Sequence, residues 1–128
     1  MTIQPEAAPL TIYICGPMTG IADSNYPAFN AADQQLQAAG YGVLNPVQGS
    51  NDAAAPRPYV LAQGGDWSDY MRNALNQVIR ADHVALLPNW EMSKGARLER
   101  MIAGRLGMIC RPLDAWIGLA PTGYGNVL

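Results

Sequence analysis

The sequence has little of what several common kinds of site require. It contains one histidine, His83, and two cysteines, Cys15 and Cys110, which are far apart and do not form a C-x-x-C pair. Zinc sites and histidine-based metalloprotease motifs need more such ligands at short spacing, so we expect no metal. The two cysteines also offer no disulfide framework, and they suit a reducing compartment.

Charge is scarce as well. Charged residues make up 14% of the chain, and the formal net charge is -2. Proteins that bind polymeric nucleic acid neutralise its phosphates with a basic surface, so we expect no such partner. No apolar run reaches the roughly 18 residues of a membrane span, and residues 1–10 lack the basic start and apolar centre of a secretory signal. We therefore expect a cytoplasmic protein with no membrane partner.

Apolar residues, by contrast, are plentiful at 49% of the 128 residues. A chain of this length fits one domain, which we expect to have a core over about residues 10–111 and a tail over 112–128. Strand and helix patterns alternate in the order β-α-β-loop-α-β-α-β. Such alternation predicts a three-layer α/β fold of Rossmann or flavodoxin type, with a parallel sheet and helices on both faces.

Short apolar runs and helical spacing locate these elements. Strands are predicted over 10–15, 42–45, 83–88 and 108–111. Helices are predicted over 25–40, 67–80 and 94–106. Asn25 is the predicted N-cap of the first helix and Gly40 its stop. Residues 47–65 are predicted to be a loop.

The sequence also predicts an amphipathic helix over 67–80 and an apolar tail. In the helix over 67–80, Tyr70 and Ala74 belong to an apolar stripe, and Asn73 and Gln77 fall on the opposite, polar side. The tail contains Trp116 and is apolar enough either to dock on another molecule or to fold back on its own domain.

Ligands on parallel sheets bind beyond the carboxyl ends of the strands, where the loops over 16–25, 46–66 and 89–95 are expected. The first of these opens with the glycines Gly16 and Gly20, which let backbone N–H groups approach an anion such as a phosphate. The same glycines would also serve in a tight turn without a ligand. The loop is neither G-x-G-x-x-G nor a P-loop, so we do not expect NAD or ATP.

The third loop leads into a helix start, where the helix dipole favours an anion. This start carries a hydroxyl, a glycine amide and two cations: Ser93, Gly95, Lys94 and Arg97. The two cations either add charge to such a site or face water. Glu99 is either a simple partner of the dipole or a nucleophile whose pKa the helix start lowers. Trp90 either shields the core or stacks on a nucleobase.

Several motifs occur in the same order as in a known family. They are YICGPMTG at 13–20, NYPAFN at 25–30, DYMR at 69–72, and LLPNW with SKGARLE within 86–99. Through them, over roughly residues 10–111, the chain resembles the nucleoside 2-deoxyribosyltransferase-like superfamily, in its DUF4406-like branch of unknown function. Members of this branch are often carried by phages or prophages, in which case the cytoplasm is that of the bacterial host.

The resemblance implies N-glycosidic chemistry on a nucleoside or nucleotide, with no cofactor. Glu99 matches a glutamate that attacks the anomeric carbon, after which the base leaves and the glycosyl-enzyme is resolved by water or a second base. Tyr13 matches a tyrosine that positions this glutamate, although it also fits an ordinary core aromatic. The candidate substrate-binding residues are Gly16, Pro17, Met18, Asn25, Trp90, Ser93, Gly95 and Arg97. Relatives complete the pocket from a neighbouring subunit, so the resemblance also implies a homo-oligomer.

One position departs from the family pattern. Ala74 stands where relatives carry an aspartate that helps to protonate the base, and such assistance is typically worth ~10² to 10⁴ in rate. Three explanations of this departure stay open. Another residue or a water molecule replaces the acid, the substrate has a base that leaves easily, or the protein binds nucleotides with little turnover. Two functions therefore stay open: an N-glycosidase or deoxyribosyltransferase, and a non-catalytic module that sequesters or senses nucleotides. A purely structural or interaction role is a third hypothesis.

Overall fold

A parallel four-stranded sheet is the centre of the fold. The computed structural model describes residues 9–47 and 67–119. The strands are β1 Thr11–Cys15, β2 Gly42–Leu44, β3 His83–Leu86 and β4 Cys110–Pro112. They lie in the order β2-β1-β3-β4, and every pairing is parallel. The predicted α/β class with a parallel sheet is confirmed.

Within residues 9–47 and 67–119, four α-helices flank this sheet: α1 Tyr26–Ala38, α2 Trp67–Arg80, α3 Lys94–Arg105 and α4 Leu113–Ile117. Successive strand residues face opposite sides of a sheet, and the core divides accordingly. Ile12 and Ile14 pack with residues of α1 and α4, and Tyr13 and Cys15 pack with residues of α2 and α3. The prediction of helices on both faces is therefore also confirmed.

The predicted bounds of the helix over 67–80 are confirmed, and each of the other predicted elements differs from the structure by one or two residues at one or both ends, for local physical reasons. β3 ends at Leu86, two residues before Pro88, which has no N–H to donate to a ladder. β4 begins at Cys110 rather than at Met108, because the Met108 amide donates to the Ala103 carbonyl and closes the end of α3. α3 accordingly ends at Arg105.

Asn25 precedes α1 but does not cap it with its side chain. Together with Asp23 and Ser24 it adopts a positive φ, in a 3-10 turn over Ala22–Asn25. Its amide Nδ2 instead donates to the Pro17 carbonyl over 2.9 Å. The side chain thus fastens the loop after β1 to the start of α1; Asn25 occupies the predicted N-cap position, but its side chain makes no capping hydrogen bond.

The tail folds back on its own domain as far as residue 119. Trp116 is fully buried, and its indole N–H donates to the Val84 carbonyl over 2.8 Å. The Trp116 ring stacks on His83, and the Tyr41 hydroxyl donates to the Trp116 carbonyl. Residues 120–128 and nearly all of the predicted loop over 47–65 lie outside the described residues.

The buried arc of α2 is wider than its apolar stripe. Asn73 and Gln77, predicted on the polar side, are buried, whereas the apolar side chain of Ile79 is 59% exposed. Gln77 Nε2 donates to the Asn45 carbonyl just past β2, so this side of the helix faces the sheet edge rather than water. Within the two described ranges, no helix has the length and hydropathy to cross a membrane.

Candidate functional site

A cavity of about 570 Å³ lies at the carboxyl edge of the sheet, where β1 ends and where α2 and α3 begin. That volume is within the usual range for a small-molecule site. Eleven described residues line it: Gly16, Met18, Thr19, Trp67, Tyr70, Met92, Ser93, Lys94, Gly95, Ala96 and Glu99. Four of the eight predicted substrate-binding residues, and the predicted nucleophile, are therefore brought together.

Glu99 is the only carboxyl among these described lining residues, and its side chain is 3% exposed. Burial raises its pKa to about 8, although the Tyr13 hydroxyl and the Cys15 thiol act in the opposite direction. The expectation that the helix start keeps this pKa low is wrong, because removal of the carboxylate from water outweighs its favourable neighbours. Glu99 therefore holds a proton at neutral pH for most of the time.

Tyr13 and Cys15 are buried next to Glu99, on the same face of β1. The Tyr13 hydroxyl makes no hydrogen bond of good geometry. Burial raises the pKa of this tyrosine, and the nearby Glu99 carboxyl raises it further. Burial, followed by Glu99, also raises the pKa of the Cys15 thiol. Both groups thus stay protonated beside the carboxyl, and the single S–H of Cys15 donates to the Ala96 carbonyl.

The glycines of the two predicted phosphate turns allow close packing. A Cβ on Gly16 would lie 2.8 Å from Leu87 Cβ, which is closer than side chains pack. A Cβ on Gly95 would lie 3.1 Å from Met71 Sδ, where α3 begins against α2. The packing explanation of these glycines thus has a direct structural basis, and both residues also border the cavity.

The start of α3 forms the polar wall of the cavity. Ser93 Oγ accepts a hydrogen bond from the Ala96 amide over 3.1 Å, as a helix N-cap does. Lys94 Nζ lies 4.4 Å from the centre of the Trp67 ring, within the range of a cation–π contact. This wall therefore combines a positive charge with the positive end of a helix dipole.

The other four predicted substrate-binding residues are not among the described residues that line this cavity. Pro17 is buried, and its carbonyl is occupied by Asn25. Arg97 is exposed, and its Nη1 donates to the Glu91 carbonyl over 2.9 Å. Trp90 packs against the core and lines a separate cavity of about 290 Å³ with residues 112–114. The structure thus favours the core-shielding interpretation of Trp90.

The sequence interpretation does not include five lining residues: Thr19, Trp67, Tyr70, Met92 and Ala96. Trp67 and Tyr70 are in the first turn of α2, which begins at the carboxyl edge of the sheet. Ligands of parallel sheets bind beyond the carboxyl ends of the strands, so a helix that begins at this edge has its first turn close to the ligand site. This rule is the signal in the sequence that could have identified Trp67 and Tyr70. Ala74, one turn further along α2, is 2% exposed and belongs to the core.

The described residues contain no group of three His, Cys, Asp or Glu side chains placed to hold a metal ion.

Comparisons with known proteins agree with this architecture. One solved structure with the same fold is a 2-deoxyribosyltransferase from the psychrotolerant bacterium Bacillus psychrosaccharolyticus, with a TM-score of 0.56 and 19% identity. The match covers 78% of this chain and 69% of that enzyme, and it confirms the resemblance to the superfamily at the level of the fold. No curated protein matches the sequence significantly. A family model for a domain of unknown function, DUF4406, matches residues 10–110, and the chain therefore belongs to the DUF4406 family.

Proposed function

We propose that the protein cleaves or transfers the N-glycosidic bond of a nucleoside or nucleoside 5'-monophosphate, with Glu99 as nucleophile. The observation that carries this proposal is a buried carboxyl that borders a cavity and has two protonated groups beside it, Tyr13 and Cys15. The solved 2-deoxyribosyltransferase of the same fold supports the class of substrate.

The chemistry is that of a retaining glycosidase. An ionised Glu99 oxygen attacks the anomeric carbon, the bond from that carbon to the base nitrogen breaks, and its electron pair leaves with the base. Water, or the nitrogen of a second base, then attacks the glycosyl ester and releases Glu99 as a carboxylate. The incoming nucleophile loses its proton, which balances the proton taken up by the first base.

Two features of the site limit the rate of this reaction. With a pKa of about 8, only about a tenth of Glu99 is ionised at pH 7. The described cavity wall also offers no second carboxyl to protonate the departing base. Without a carboxylic acid for this step among the described lining residues, we expect slow turnover or a preference for bases that leave easily.

The start of α3 suits a 5'-phosphate. The Lys94 ammonium and the Ser93 turn border the cavity, so a substrate whose sugar meets Glu99 would place its phosphate near a positive charge and a helix N-terminus. We therefore infer that monophosphates bind more tightly than the corresponding nucleosides.

The direct test is incubation of the protein with a panel of ribo- and deoxyribonucleosides and their monophosphates, with liberated bases separated by chromatography. We expect at least one substrate to release its base and Glu99→Gln to abolish that release. Glu91→Gln is the matched control, because Glu91 is an exposed glutamate outside the described cavity lining. Unchanged base release by Glu99→Gln would exclude the nucleophilic role.

A non-catalytic nucleotide-binding module is the second candidate function. The observation that favours it is Ala74, a core residue at the position where relatives carry the acid that protonates the base. A nucleotide that raises the melting temperature of the protein and survives prolonged incubation intact would support this alternative. Release of a base would contradict it.

We also propose that the protein acts as a homo-oligomer. Two apolar residues at the cavity leave surface uncovered: Met92 is 80% exposed and Trp67 is 40% exposed. A neighbouring subunit that covers them would complete the wall of the cavity. Light scattering that gives the mass of a monomer at all accessible concentrations would contradict this proposal.

A further inference from the structure

The carboxamide of Asn73 is buried without hydrogen bonds. The residue is 2% exposed, and neither Nδ2 nor Oδ1 has a hydrogen-bond partner. Buried polar side-chain atoms are usually paired, because an unpaired atom has given up its bond to water and gained nothing in exchange. An amide with both ends unpaired weakens the fold, so its presence points to a role outside folding.

Asn73 lies between the cavity and the end of β2. Residues three or four apart on a helix share a face, so Tyr70, Asn73 and Gln77 follow one another along one side of α2. Tyr70 lines the cavity, and Gln77 Nε2 donates to the Asn45 carbonyl over 3.5 Å. The Asn73 amide is therefore one helical turn from the cavity wall, on the buried face of the helix.

The hydrogen bonds of the Asn45 side chain are complete without Asn73, and Gln77 Oε1 on the same face of α2 is also buried without a partner. Asn45 Nδ2 donates to Asn30 and to Asp33, each over 3.1 Å. Asn45 Oδ1 accepts from the Val47 amide over 3.0 Å. The side chain of Asn45 is thus fully used at both ends, which leaves the donor and the acceptor of Asn73 available.

We propose that Asn73 reads the base of the substrate by pairing its carboxamide with the hydrogen-bonding edge of that base. The inference rests on the proposed function, which supplies a nucleoside or nucleotide as the ligand. A carboxamide presents a donor and an acceptor in one plane, which matches a base edge that carries a donor beside an acceptor. A phosphate offers only acceptors, so it would leave Asn73 Oδ1 unpaired.

The lining of the cavity suits a base, and Asn73 lies behind it, one helical turn from Tyr70, rather than among the lining residues. Met18, Tyr70 and Met92 form an apolar wall suited to the face of a planar ring. With the sugar at Glu99 and a phosphate at the start of α3, the base is the part of the substrate left to extend along α2.

The test measures dissociation constants by calorimetry in a Glu99→Gln background, which prevents turnover. The probes are adenosine against N6,N6-dimethyladenosine, and thymidine against N3-methylthymidine, because each methylated partner has lost a donor from its base edge. We expect the parent of at least one pair to bind about tenfold to a hundredfold more tightly. Asn73→Leu should abolish that preference and raise the melting temperature of the free protein by about 2–5 °C.

Two further variants complete the experiment. Asn73→Ala should also abolish the preference, and it serves as the test if the larger leucine prevents folding. Asn76→Ala removes a partly buried amide from the same helix and should leave the preference intact.

Three results would overturn the inference: equal binding of parent and methylated probes, a preference that survives in the Asn73 variants, or a lower melting temperature for Asn73→Leu. Failure of the proposed function has a different signature, because then the wild-type protein releases no base and the background variant binds no nucleoside. Base release by the wild type together with any of the three results removes only the role of Asn73.

Discussion

The Cys15 thiol donates a hydrogen bond to the Ala96 carbonyl over 3.4 Å and so joins the end of β1 to the first turn of α3. The same thiol is next to the Glu99 carboxyl and lowers its pKa. We therefore predict that Cys15→Ala raises the pKa of Glu99 and moves the acidic limb of kcat/KM to higher pH. Cys15→Ser keeps a donor and should leave the limb closer to that of the wild type. Identical pH profiles for all three proteins would contradict this coupling.

The pH dependence that we expect for the proposed reaction follows from Glu99. The nucleophile must be ionised, and its pKa in the free protein is about 8. We expect kcat/KM to rise about tenfold per pH unit below that value and to level off above it. Tyr13→Phe removes a group that lowers this pKa and should shift the limb to higher pH. A profile that is flat between pH 5 and 9 would exclude Glu99 as the titrating nucleophile.

Glu99 also makes the stability of the fold depend on pH. Its pKa is higher in the folded protein than the ordinary value of 4.5, so the folded state binds more protons and stability falls as pH rises from 4.5 to about 8. The loss is at most about 1.4 kcal/mol per pH unit in that window. Glu99→Gln should therefore be more stable than the wild type at pH 8 and should flatten this dependence. Urea unfolding at pH 5 and pH 8 measures both effects, with Glu91→Gln as the control.

Ala74→Asp tests the departure from the family pattern. We expect it to raise turnover, because it returns a proton donor to the helix that borders the cavity. We also expect it to lower the free energy of unfolding by about 1–3 kcal/mol, because Ala74 is 2% exposed among apolar side chains. Single-turnover kinetics and urea unfolding separate the two effects. A folded variant with no gain in rate would contradict the placement of the acid at this position.

Lys94 should favour phosphorylated substrates. Lys94→Met keeps the length of the side chain but removes its charge, so we predict a loss of about twofold to tenfold in the preference for a monophosphate over its nucleoside. The preference of the wild type should also weaken with added salt. Arg97→Met is the control, since this exposed cation is not among the described lining residues. An equal loss in both variants would indicate a general effect of net charge.

Hydrophobic periodicity, together with the positions of glycine and proline, is sufficient to predict the sheet and its helices. Gly16 after β1, Gly40 after α1 and Pro88 after β3 end elements in ways that depend on neighbouring residues alone. For this reason the order of strands and helices follows from the sequence, whereas the exact ends depend on single hydrogen bonds such as that of the Met108 amide. The position of Trp116 depends on the Val84 carbonyl and on His83, both distant along the chain, and no local pattern contains that information.

The candidate site divides in the same way. Ser93, Gly95 and Glu99 share one helix start, so their spacing brings them to the same cavity. The local sequence shows the helix dipole, which would lower the pKa of Glu99. It does not show the burial that raises this pKa, because burial depends on packing between elements. Asn73 was assigned to the wrong face for a related reason: its amide is covered by the tertiary fold despite its polarity.

His83 lies at the amino end of β3, at the opposite edge of the sheet from Glu99. Its Nδ1 accepts a hydrogen bond from the Ile109 amide, its ring stacks on Trp116, and burial lowers its pKa. The imidazole is therefore neutral, and its contacts are structural. His83 is the only histidine in the sequence. A group that titrates near neutral pH during the proposed reaction would consequently be an oxygen acid rather than an imidazole. Reagents that modify imidazole should therefore leave the chemical step unchanged.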